Sequence, residues 1–381
     1  MKRIYMDHAA TTKTDPAVAK AMCACMASTP GNPSSLHGFG QEAKNVVEES
    51  RAIVSKLINA QPDSIIFTSG GTESDNMALK GILNKGDHLI TSAIEHHAVL
   101  HTAQYLEKQG VQVTYIKPDR YGMISPADVK AAMKPNTKLV SIMHANNEIG
   151  TIEPVEEIGR ICRKGKVIFH TDAVQTFGKL PIDVEKMDID MLSASGHKLY
   201  GPKGVGFLYV RSGVKLNPLI HGGGQEKGRR SGTENVEGIA GFAKAAEISA
   251  RNMDSESKRL KKLSNRLCKK VLKISGSTLN GHPTKRLAGI NNFRFSGIEG
   301  ESLVIHLDMQ GVAASTGSAC SSKSLEPSHV LTSIGIKHAD AHGSLRLSLG
   351  RENTSAEVDY VARVLPGIVE NLRMISPLAK R

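Results

Sequence analysis

One lysine stands where a chain can present a nucleophilic amine. Lys198 closes the tetrapeptide Ser195-Gly196-His197-Lys198, which follows the apolar, strand-like run 189–194. Burial at a strand end disfavours the charged form of an amine, so this lysine can act as a neutral nucleophile and form a Schiff base. The alternative is a lysine that only extends its charged end to solvent.

A carboxylate follows a second apolar strand. Asp172 comes directly after the strand-like run 167–170. An acid at this point can hold the protonated pyridine nitrogen of pyridoxal phosphate (PLP), which then serves as an electron sink. It can also simply cap the next helix. Lys198 and Asp172 together indicate a PLP enzyme more strongly than either does alone.

A glycine pair follows the strand-like run 64–67 and precedes a helical pattern. In Gly70-Gly71-Thr72 the glycines let a ligand approach the backbone, and the N–H groups of the first helical turn can bind a phosphate. The spacing fits neither a P-loop nor a dinucleotide fingerprint. A plain capping box remains the alternative.

One cysteine lies in a segment with no apolar periodicity. Cys320 belongs to the run 315–327, which is rich in small and hydroxyl residues and is therefore predicted to be a loop. Lys323 is close enough in sequence to favour the thiolate. Cys162 and Cys268 lie in apolar helical patterns and are predicted to be buried.

Short motifs succeed one another along nearly the whole chain: 5–12, 31–35, 68–76, 95–100, 144–150, 170–175, 195–204, 221–224, 230–233, the Cys320 loop and 344–351. In this order they resemble the NifS/IscS-type cysteine desulfurases, PLP enzymes of fold type I in the class-V aminotransferase family. The long cysteine loop, with Ser-Ala-Cys followed by Ser-Leu-Glu-Pro, resembles the housekeeping and nitrogen-fixation group.

The resemblance implies a cofactor site. Lys198 would bind PLP covalently, Asp172 would pair with the ring nitrogen, and His96 would stack on the ring face and move protons. The other residues implied to contact the cofactor are Gly71, Thr72, Asn147, Gln175, Ser195 and His197, with Thr233 coming from a neighbouring subunit. Such sharing implies a homodimer.

The resemblance also implies a substrate and a reaction. Arg346 would bind the carboxylate of L-cysteine bidentately, with Asn32 and Asn147 as further substrate contacts. Cys320 would attack the substrate sulfur, leaving L-alanine and a Cys320 persulfide that is passed to an iron–sulfur scaffold or another sulfur-acceptor protein. Cys320 is also a candidate transient ligand of an iron–sulfur cluster.

Two other functions stay open at this point. A selenocysteine lyase or an aminotransferase of the same fold would differ in whether Cys320 is needed for turnover. A catalytically silent scaffold for cluster assembly is a third reading. A catalytically silent scaffold would not need Lys198, Asp172, His96 and Arg346 together, so their joint presence argues against that reading.

Composition excludes several classes of protein. The 381 residues are 40% hydrophobic, and the five cysteines match no zinc or disulfide spacing, so we expect a reducing cytoplasm. We find no secretory signal, and no run approaches the ~20 apolar residues of a membrane span.

The net charge of +12 would suit an anionic partner. Yet the basic residues are dispersed, the cluster at 258–262 lies on a predicted solvated helix face, and aromatic residues make up only 4% of the chain. We therefore expect no nucleic-acid binding. An acidic scaffold protein is the better candidate partner.

Apolar runs predict strands near 64–68, 88–92, 112–116, 138–143, 167–171, 189–194 and 205–210, with helices between the first five. This alternation predicts an α/β fold with a mainly parallel seven-stranded sheet, in which the last strand is hairpin-like. We expect a large PLP-binding domain at 16–252. A small α+β domain would comprise 1–15 and 253–381, carry the Cys320 loop, start with a helix at 253–274 and end with one at 355–373.

Two departures from the family pattern stand out, and the first concerns the partner. The sequence ends at 376–381 without the longer tail with which housekeeping members dock their scaffold, and the stretch 211–219 is slightly shorter than in the best-known members. The identity of the sulfur acceptor therefore stays open.

Overall fold

The computed structural model describes residues 3–317 and 327–377. Within these ranges the strands are β1 (Ile4–Tyr5), β2 (Ile65–Thr68), β3 (His88–Ser92), β4 (Gln112–Ile116), β5 (Thr137–Ser141), β6 (Ile168–Asp172), β7 (Met191–Ser195), β8 (Gly206–Val210), β9 (Ser277–Asn280), β10 (Ile290–Phe295), β11 (Val312–Ala313) and β12 (Ser344–Ser348). The α-helices are α1 (Pro16–Ser28), α2 (Gly38–Lys56), α3 (Gly71–Ile82), α4 (His97–Lys108), α5 (Pro126–Ala131), α6 (Val155–Gly165), α7 (Val236–Val271), α8 (Gly300–Met309), α9 (His329–Ser333), α10 (His338–Ala341) and α11 (Ser355–Ile375).

The main sheet has seven strands in the order β2-β8-β7-β6-β5-β3-β4. Every neighbouring pair is parallel except the two that involve β8, which runs antiparallel to β2 and to β7. All residues of β2, β3, β7 and β8 are buried, as expected of a sheet with both faces covered. The predicted mainly parallel sheet is confirmed, including its antiparallel last strand.

Helices α3, α4, α5 and α6 connect successive parallel strands, as the sequence predicted. The carboxyl ends of β2, β3, β5, β6 and β7 therefore lie along one edge of the sheet. In open α/β sheets this edge is where ligand-binding groups collect.

A second hydrophobic core lies around smaller sheets. Strands β12, β10 and β9 form an antiparallel sheet in that order, and β1 pairs in parallel with β11. The N-terminal residues Ile4 and Met6 belong to this core together with parts of α7, α8 and α11. The packing supports the expected small domain, whose boundaries at 1–15 and 253–381 stay a prediction.

The predicted connector helix at 253–274 was placed too late in the chain. Helix α7 begins at Val236, where the Asn235 side chain accepts a hydrogen bond from the Gly238 N–H at 3.0 Å, and continues for 36 residues. Its first half is rich in glycine and alanine and is mostly buried against α1 and α2. Because its polar residues Glu237, Lys244 and Glu247 are few and only partly exposed, the amphipathic periodicity that marks a surface helix is weak there.

None of the helices in the described ranges combines the length and apolar character needed to cross a bilayer.

A buried ion pair fastens the loop before α7 to the sheet. The guanidinium of Arg51 donates to both carboxylate oxygens of Glu226, at 2.8 and 2.9 Å, and to the Ile65 carbonyl. Glu226 also accepts the Phe67 N–H of the edge strand β2 at 3.0 Å. The side chains of Arg51 and Glu226 are 6% and 2% exposed, so each neutralises a charge that would otherwise be buried alone.

Removing one partner of this pair should destabilise the protein strongly. We predict that Glu226→Ala lowers the free energy of unfolding by about 3–5 kcal/mol, because it leaves a buried guanidinium without its counterion. Urea unfolding measures the change. Glu48→Ala is the matched control, since the half-exposed Glu48 binds the same guanidinium at 3.2 Å and should contribute less than about 1 kcal/mol. Equal losses in the two variants would contradict the assignment.

Candidate active site

A cavity of about 320 Å³ opens at the carboxyl edge of the main sheet. The sequence-predicted site residues that line it are Gly71, Thr72, His96, Asn147, Asp172, Gln175, Ser195, His197, Lys198 and Arg346. Each of the first nine ends a strand of the main sheet or lies in the connection or helix start that follows one. Arg346 comes instead from β12 of the second core, so the cavity lies between the two cores.

Lys198 is held by the N-terminal segment. It ends a short 3₁₀ turn after β7, and its Nζ donates to the carbonyls of Ala9 and Ala10 at 2.6 and 2.7 Å. Gln175 Nε2 donates to the same Ala9 carbonyl at 3.0 Å. The carbonyls of the N-terminal segment therefore form one wall of the site. Sequence reasoning missed them because backbone acceptors leave no residue-type signal.

Asp172 offers a carboxylate to the cavity. Its Oδ1 accepts the Val174 N–H at 2.8 Å. Burial raises the pKa of Asp172 to about 6, although the Val174 hydrogen bond and the charge of Lys198 oppose the shift. A buried carboxylate at the cavity wall is suited to a cationic ligand nitrogen.

A second buried acid lies beside Asp172 and was not predicted. Asp75, on α3, lines the same cavity and approaches His170 Nε2 at 3.7 Å. Burial and the neighbouring Asp172 both raise the pKa of Asp75 well above its usual value. Burial lowers the pKa of His170 to about 3, so His170 is neutral and gives Asp75 no counterion. Asp75 is therefore the protonated member of the pair.

The first turn of α3 forms a cradle for an anion. Gly70 has φ +148°, a conformation open to glycine, and a Cβ on Gly71 would lie 2.6 Å from the Val174 side chain. The first turn of a helix leaves N–H groups without partners in the helix, and these groups bind anions. A shallow cleft beside the cavity adds Thr11 and the ammonium of Lys203 to this region.

His197 borders the cradle as a neutral ring. Its Nδ1 lies 3.1 Å from Thr11 Oγ1. Burial lowers the pKa of His197 to about 4, with the charges of Lys198 and Lys179 adding to the effect. A neutral imidazole can donate a hydrogen bond to an anion without adding a second charge.

His96 is also neutral, and its tautomer is defined. It caps α4, where its Nδ1 accepts the Ala98 N–H at 3.1 Å, so the ring proton is on Nε2. Burial, followed by the charge of Lys198, lowers the pKa of His96 to about 4. An uncharged ring at the cavity wall is suited to stacking on an aromatic ligand.

Arg346 spans the two cores. Its side chain is 2% exposed, and its Nη2 donates to Asp7 Oδ1 at 2.9 Å while its Nη1 donates to the Asn147 carbonyl at 2.9 Å. Its Nε is buried and has no hydrogen-bond partner among the described residues. The predicted carboxylate-binding guanidinium is thus in place and oriented by Asp7, which the sequence analysis did not single out.

Three other imidazoles gather at the rim of the cavity. His97 stacks on His101 with ring centroids 4.7 Å apart and lies 4.9 Å from His329. His329 starts α9, and its Nε2 lies 2.9 Å from the Glu95 carbonyl. None of these three was predicted: His97 and His101 lie one turn apart on α4, and only the fold brings His329 to them.

Three predicted site residues are not at this cavity. Asn32 is exposed in the connection between α1 and α2, where its Oδ1 accepts the Ser34 N–H at 2.9 Å. Thr233 is exposed and does not line the cavity of its own chain. Cys320, together with the suggested cluster ligation, lies outside the described residues. The roles of all three stay predictions.

Comparisons with known proteins fit this geometry. Residues 4–361 match the family model of the class-V aminotransferases. The chain is 53% identical to the cysteine desulfurase IscS of Methanosarcina thermophila, an alignment that covers 100% of this chain and 95% of the relative. It is 48% identical to the mitochondrial cysteine desulfurase of Saccharomyces cerevisiae, over 98% of this chain and 76% of that one.

Solved structures agree with these relatives. A NifS-like protein superposes with a TM-score of 0.92 at 39% identity, covering 97% of this chain and 100% of that one. A structure of SspA in complex with cysteine gives a TM-score of 0.82 at 39% identity, covering 91% of this chain and 99% of that one.

The chain therefore belongs to the class-V aminotransferase family, whose fold was predicted from the sequence. Within that family it is an enzyme of the IscS cysteine desulfurase type, and it depends on PLP. The predicted family, enzyme class and cofactor are confirmed.

The residues present fit PLP. The α3 cradle offers backbone N–H groups to a phosphate, and the buried Asp172 carboxylate lies in the same cavity for a ring nitrogen. Neutral His96 leaves a face for the ring, and the Lys198 amine reaches the cavity. The set of donors and charges is thus complementary to a phosphorylated pyridine aldehyde.

The raised pKa of Asp172 predicts how the apoenzyme responds to pH. A folded-state pKa of about 6, against an ordinary value of 3.8, means that the folded chain holds a proton that the unfolded chain releases. This contribution to stability is present below pH 3.8 and is lost as pH rises through 6. The stability of apo Asp172→Asn relative to apo wild type should therefore increase across this interval and then level off, as measured by urea unfolding.

Asp183→Asn is the matched control with the opposite sign. Backbone hydrogen bonds from Lys186 and Glu185 lower the pKa of the exposed Asp183. Its carboxylate therefore stabilises the fold above its ordinary pKa, and the variant should lose stability relative to wild type as pH rises. A flat difference between Asp172→Asn and wild type across the same range would contradict the prediction.

Proposed function

We propose that the protein removes sulfur from L-cysteine, releasing L-alanine and leaving the sulfur on Cys320 as a persulfide. The observation that carries this proposal is one cavity that joins Lys198, Asp172, an anion cradle and Arg346. These groups are complementary to PLP at one end and to an amino-acid carboxylate at the other. The cysteine desulfurase relatives support L-cysteine as the amino acid.

We assign the cofactor contacts from this geometry. Gly71, Thr72, Ser195 and His197 hold the phosphate, Asp172 holds the ring nitrogen, and Gln175 and Asn147 lie near the ring hydroxyl and the substrate. When bound, PLP withdraws electrons from the substrate's α-carbon and so makes its proton acidic. Asp172 supports this withdrawal because its negative charge keeps the ring nitrogen protonated.

Protein groups then orient the substrate and move its protons. The Arg346 guanidinium binds the carboxylate, for which its buried Nε offers a donor that has no partner among the described residues. The Lys198 amine takes the α-proton, since it is the amine that reaches the cavity. His96 covers the ring and excludes water from one face.

Cys320 must reach this cavity for the proposed chemistry. Gly317, the last described residue before its segment, and Ser328, shortly after it, both adjoin Glu148 in the cavity wall: Ser328 Oγ donates to Glu148 Oε2 at 2.5 Å, and a Cβ on Gly317 would lie 2.5 Å from that oxygen. The described chain before and after the segment therefore lies at the cavity.

The reaction balances without an added oxidant. The Cys320 thiolate forms a bond to the substrate sulfur while the carbon–sulfur bond of L-cysteine breaks. The bonding electrons stay with the carbon, which takes up a proton and is released in L-alanine. The outer sulfur of Cys320 is then available to an acceptor protein.

We further propose that the active unit is a homodimer in which Thr233 serves the neighbouring subunit's phosphate site. Thr233 is exposed, and its loop is fixed by the Arg51–Glu226 pair and by Arg230, whose Nε lies 2.9 Å from Glu73. Leu36, before α2, and Phe39, in its first turn, are 95% and 60% exposed, and Pro33 and Ser34 of the same connection line a cleft with residues 224–227. Burial in a second copy would remove this apolar surface from water.

The same proposal extends to the partner and compartment. We propose an iron–sulfur scaffold or another sulfur-acceptor protein as the recipient, transient cluster ligation by Cys320, and a cytoplasmic location. The IscS names of the relatives support the link to cluster assembly.

Cys320→Ala should separate substrate binding from sulfur transfer. The variant should still bind L-cysteine and show a change in cofactor absorbance, yet release almost no alanine or sulfide, because the nucleophile acts after the amino acid is bound. Cys23→Ala, which removes an exposed thiol on α1, is the matched control and should be fully active. Undiminished alanine release by Cys320→Ala would favour a lyase or aminotransferase.

Mixed dimers test whether the phosphate site is shared. Thr233→Ala should weaken PLP binding by about 10- to 150-fold, the value of one hydrogen bond to a charged group at about 1.5–3 kcal/mol. In a heterodimer with Lys198→Ala, one site should carry both defects and the other neither. Alanine formation at limiting PLP should therefore recover above that of either homodimer. Verified mixed dimers without recovery would count against a shared site.

A further inference from the structure

The imidazole cluster at the cavity rim joins two elements that matter for sulfur transfer. His97 is the first residue of α4, directly after His96, and His329 is the first residue of α9. His329 follows the segment that contains Cys320, because Ser328 and His329 are among the first described residues after it. The contact between His97 and His329 therefore links the cofactor-facing wall to the end of the Cys320 segment.

Two sets of contacts hold the first turn of α9 in place. Val330 and Leu331 are buried in the main core and hold the helix in place. Ahead of them, Ser328 bonds to Glu148, and His329 Nε2 donates to the Glu95 carbonyl at 2.9 Å. The ring of His329 lies 4.9 Å from that of His97. The apolar core holds the helix in place, whereas the side chains of Ser328 and His329 set the direction from which the chain enters it.

The imidazole cluster has few acidic groups around it that could balance a positive charge on its rings. The groups that face it from α4 are His96, His97 and His101, and Glu95 precedes that helix. Burial raises the pKa of Glu95 to about 8, so at neutral pH this acid is mostly uncharged.

Glu148 is the remaining acid near His97. Burial raises its pKa, while Ser328, Arg346 and His97 oppose the shift. The fixed positive charges beyond the cluster are Lys198, which acts on His96, and Arg346, which acts on Glu148. One carboxylate can balance at most one protonated imidazole.

The packing therefore favours the neutral form of His97 and His329. Burial lowers the pKa of His97 and of His329, and the neighbouring imidazoles add to the effect. His101 is exposed, so water can deliver protons to the cluster from outside. Charging two rings in contact would push α4 and the start of α9 apart.

We propose that His97 and His329 are positioning residues for sulfur transfer: as neutral rings they hold the first turn of α9, the helix that follows Cys320 in the sequence, and protonation of both rings releases that turn. The inference rests on the proposed role of Cys320. On acidification, sulfur transfer is therefore lost before PLP is released.

His329→Gln tests the proposal, because the glutamine amide keeps a donor near Nε2 but does not titrate. The acid limb of alanine formation should move to lower pH by about one unit, while the rate at neutral pH is kept. His329→Ala loses the donor as well and should be slow at all pH values, with PLP retention unchanged. His306→Gln, on α8, is the matched control for loss of an imidazole and should keep the wild-type profile.

A measurement without turnover separates this inference from the proposed function. The amides of Leu331 and Thr332 bond to Ser328, so their hydrogen exchange reports the first turn of α9. In wild type their protection should fall on acidification while PLP absorbance stays constant, and in His329→Gln it should persist. Unchanged protection in wild type, or PLP loss in parallel with activity, would overturn the proposal whatever the role of Cys320.

Discussion

The hydrogen bonds from Lys198 Nζ to the Ala9 and Ala10 carbonyls are the interaction on which the site depends. They require a backbone segment to pass over the carboxyl edge of the main sheet with its carbonyls turned toward the lysine. That segment is held from the other side by the second core, where Ser348 Oγ accepts the Ala9 N–H at 2.9 Å. The lysine is therefore positioned by both cores at once.

This arrangement explains why a single positive charge organises the electrostatics of the cavity. Lys198 lowers the pKa values of His96 and His197 and opposes the rise at Asp172. Burial is the larger cause of the neutrality of both imidazoles, and Lys198 adds to it while favouring the ionised form of Asp172. The charges left to act on a ligand are few and well separated, which suits a zwitterionic substrate and an anionic cofactor.

The sequence predicted those parts of the site that one residue type in one local pattern can reveal. Lys198, Asp172 and the Gly71 turn each follow an apolar strand, and parallel strands bring such positions to one edge. It did not predict the Ala9 carbonyls or the cluster of His97 and His329, because these depend on contacts between distant segments. The start of α7 was misplaced because its first half is rich in glycine and alanine and mostly buried, which weakens the amphipathic pattern.

Helix α3 contributes residues to both ends of the candidate cofactor site, and Asp75 is one of them. The first turn of α3 supplies the anion cradle, and one turn later Asp75 lies beneath Asp172. Two ionised acids buried this close would repel, so the proton resides on the acid with less support. Asp172 has the Val174 N–H and Lys198, whereas Asp75 faces a neutral His170. A protonated Asp75 therefore leaves the negative charge of the pair on Asp172, the residue proposed to hold the ring nitrogen. Because the cradle and Asp75 are both on α3 and Asp75 adjoins Asp172 at the end of β6, the cradle and the acid pair keep a fixed separation, as a rigid ligand with a phosphate and a ring nitrogen requires.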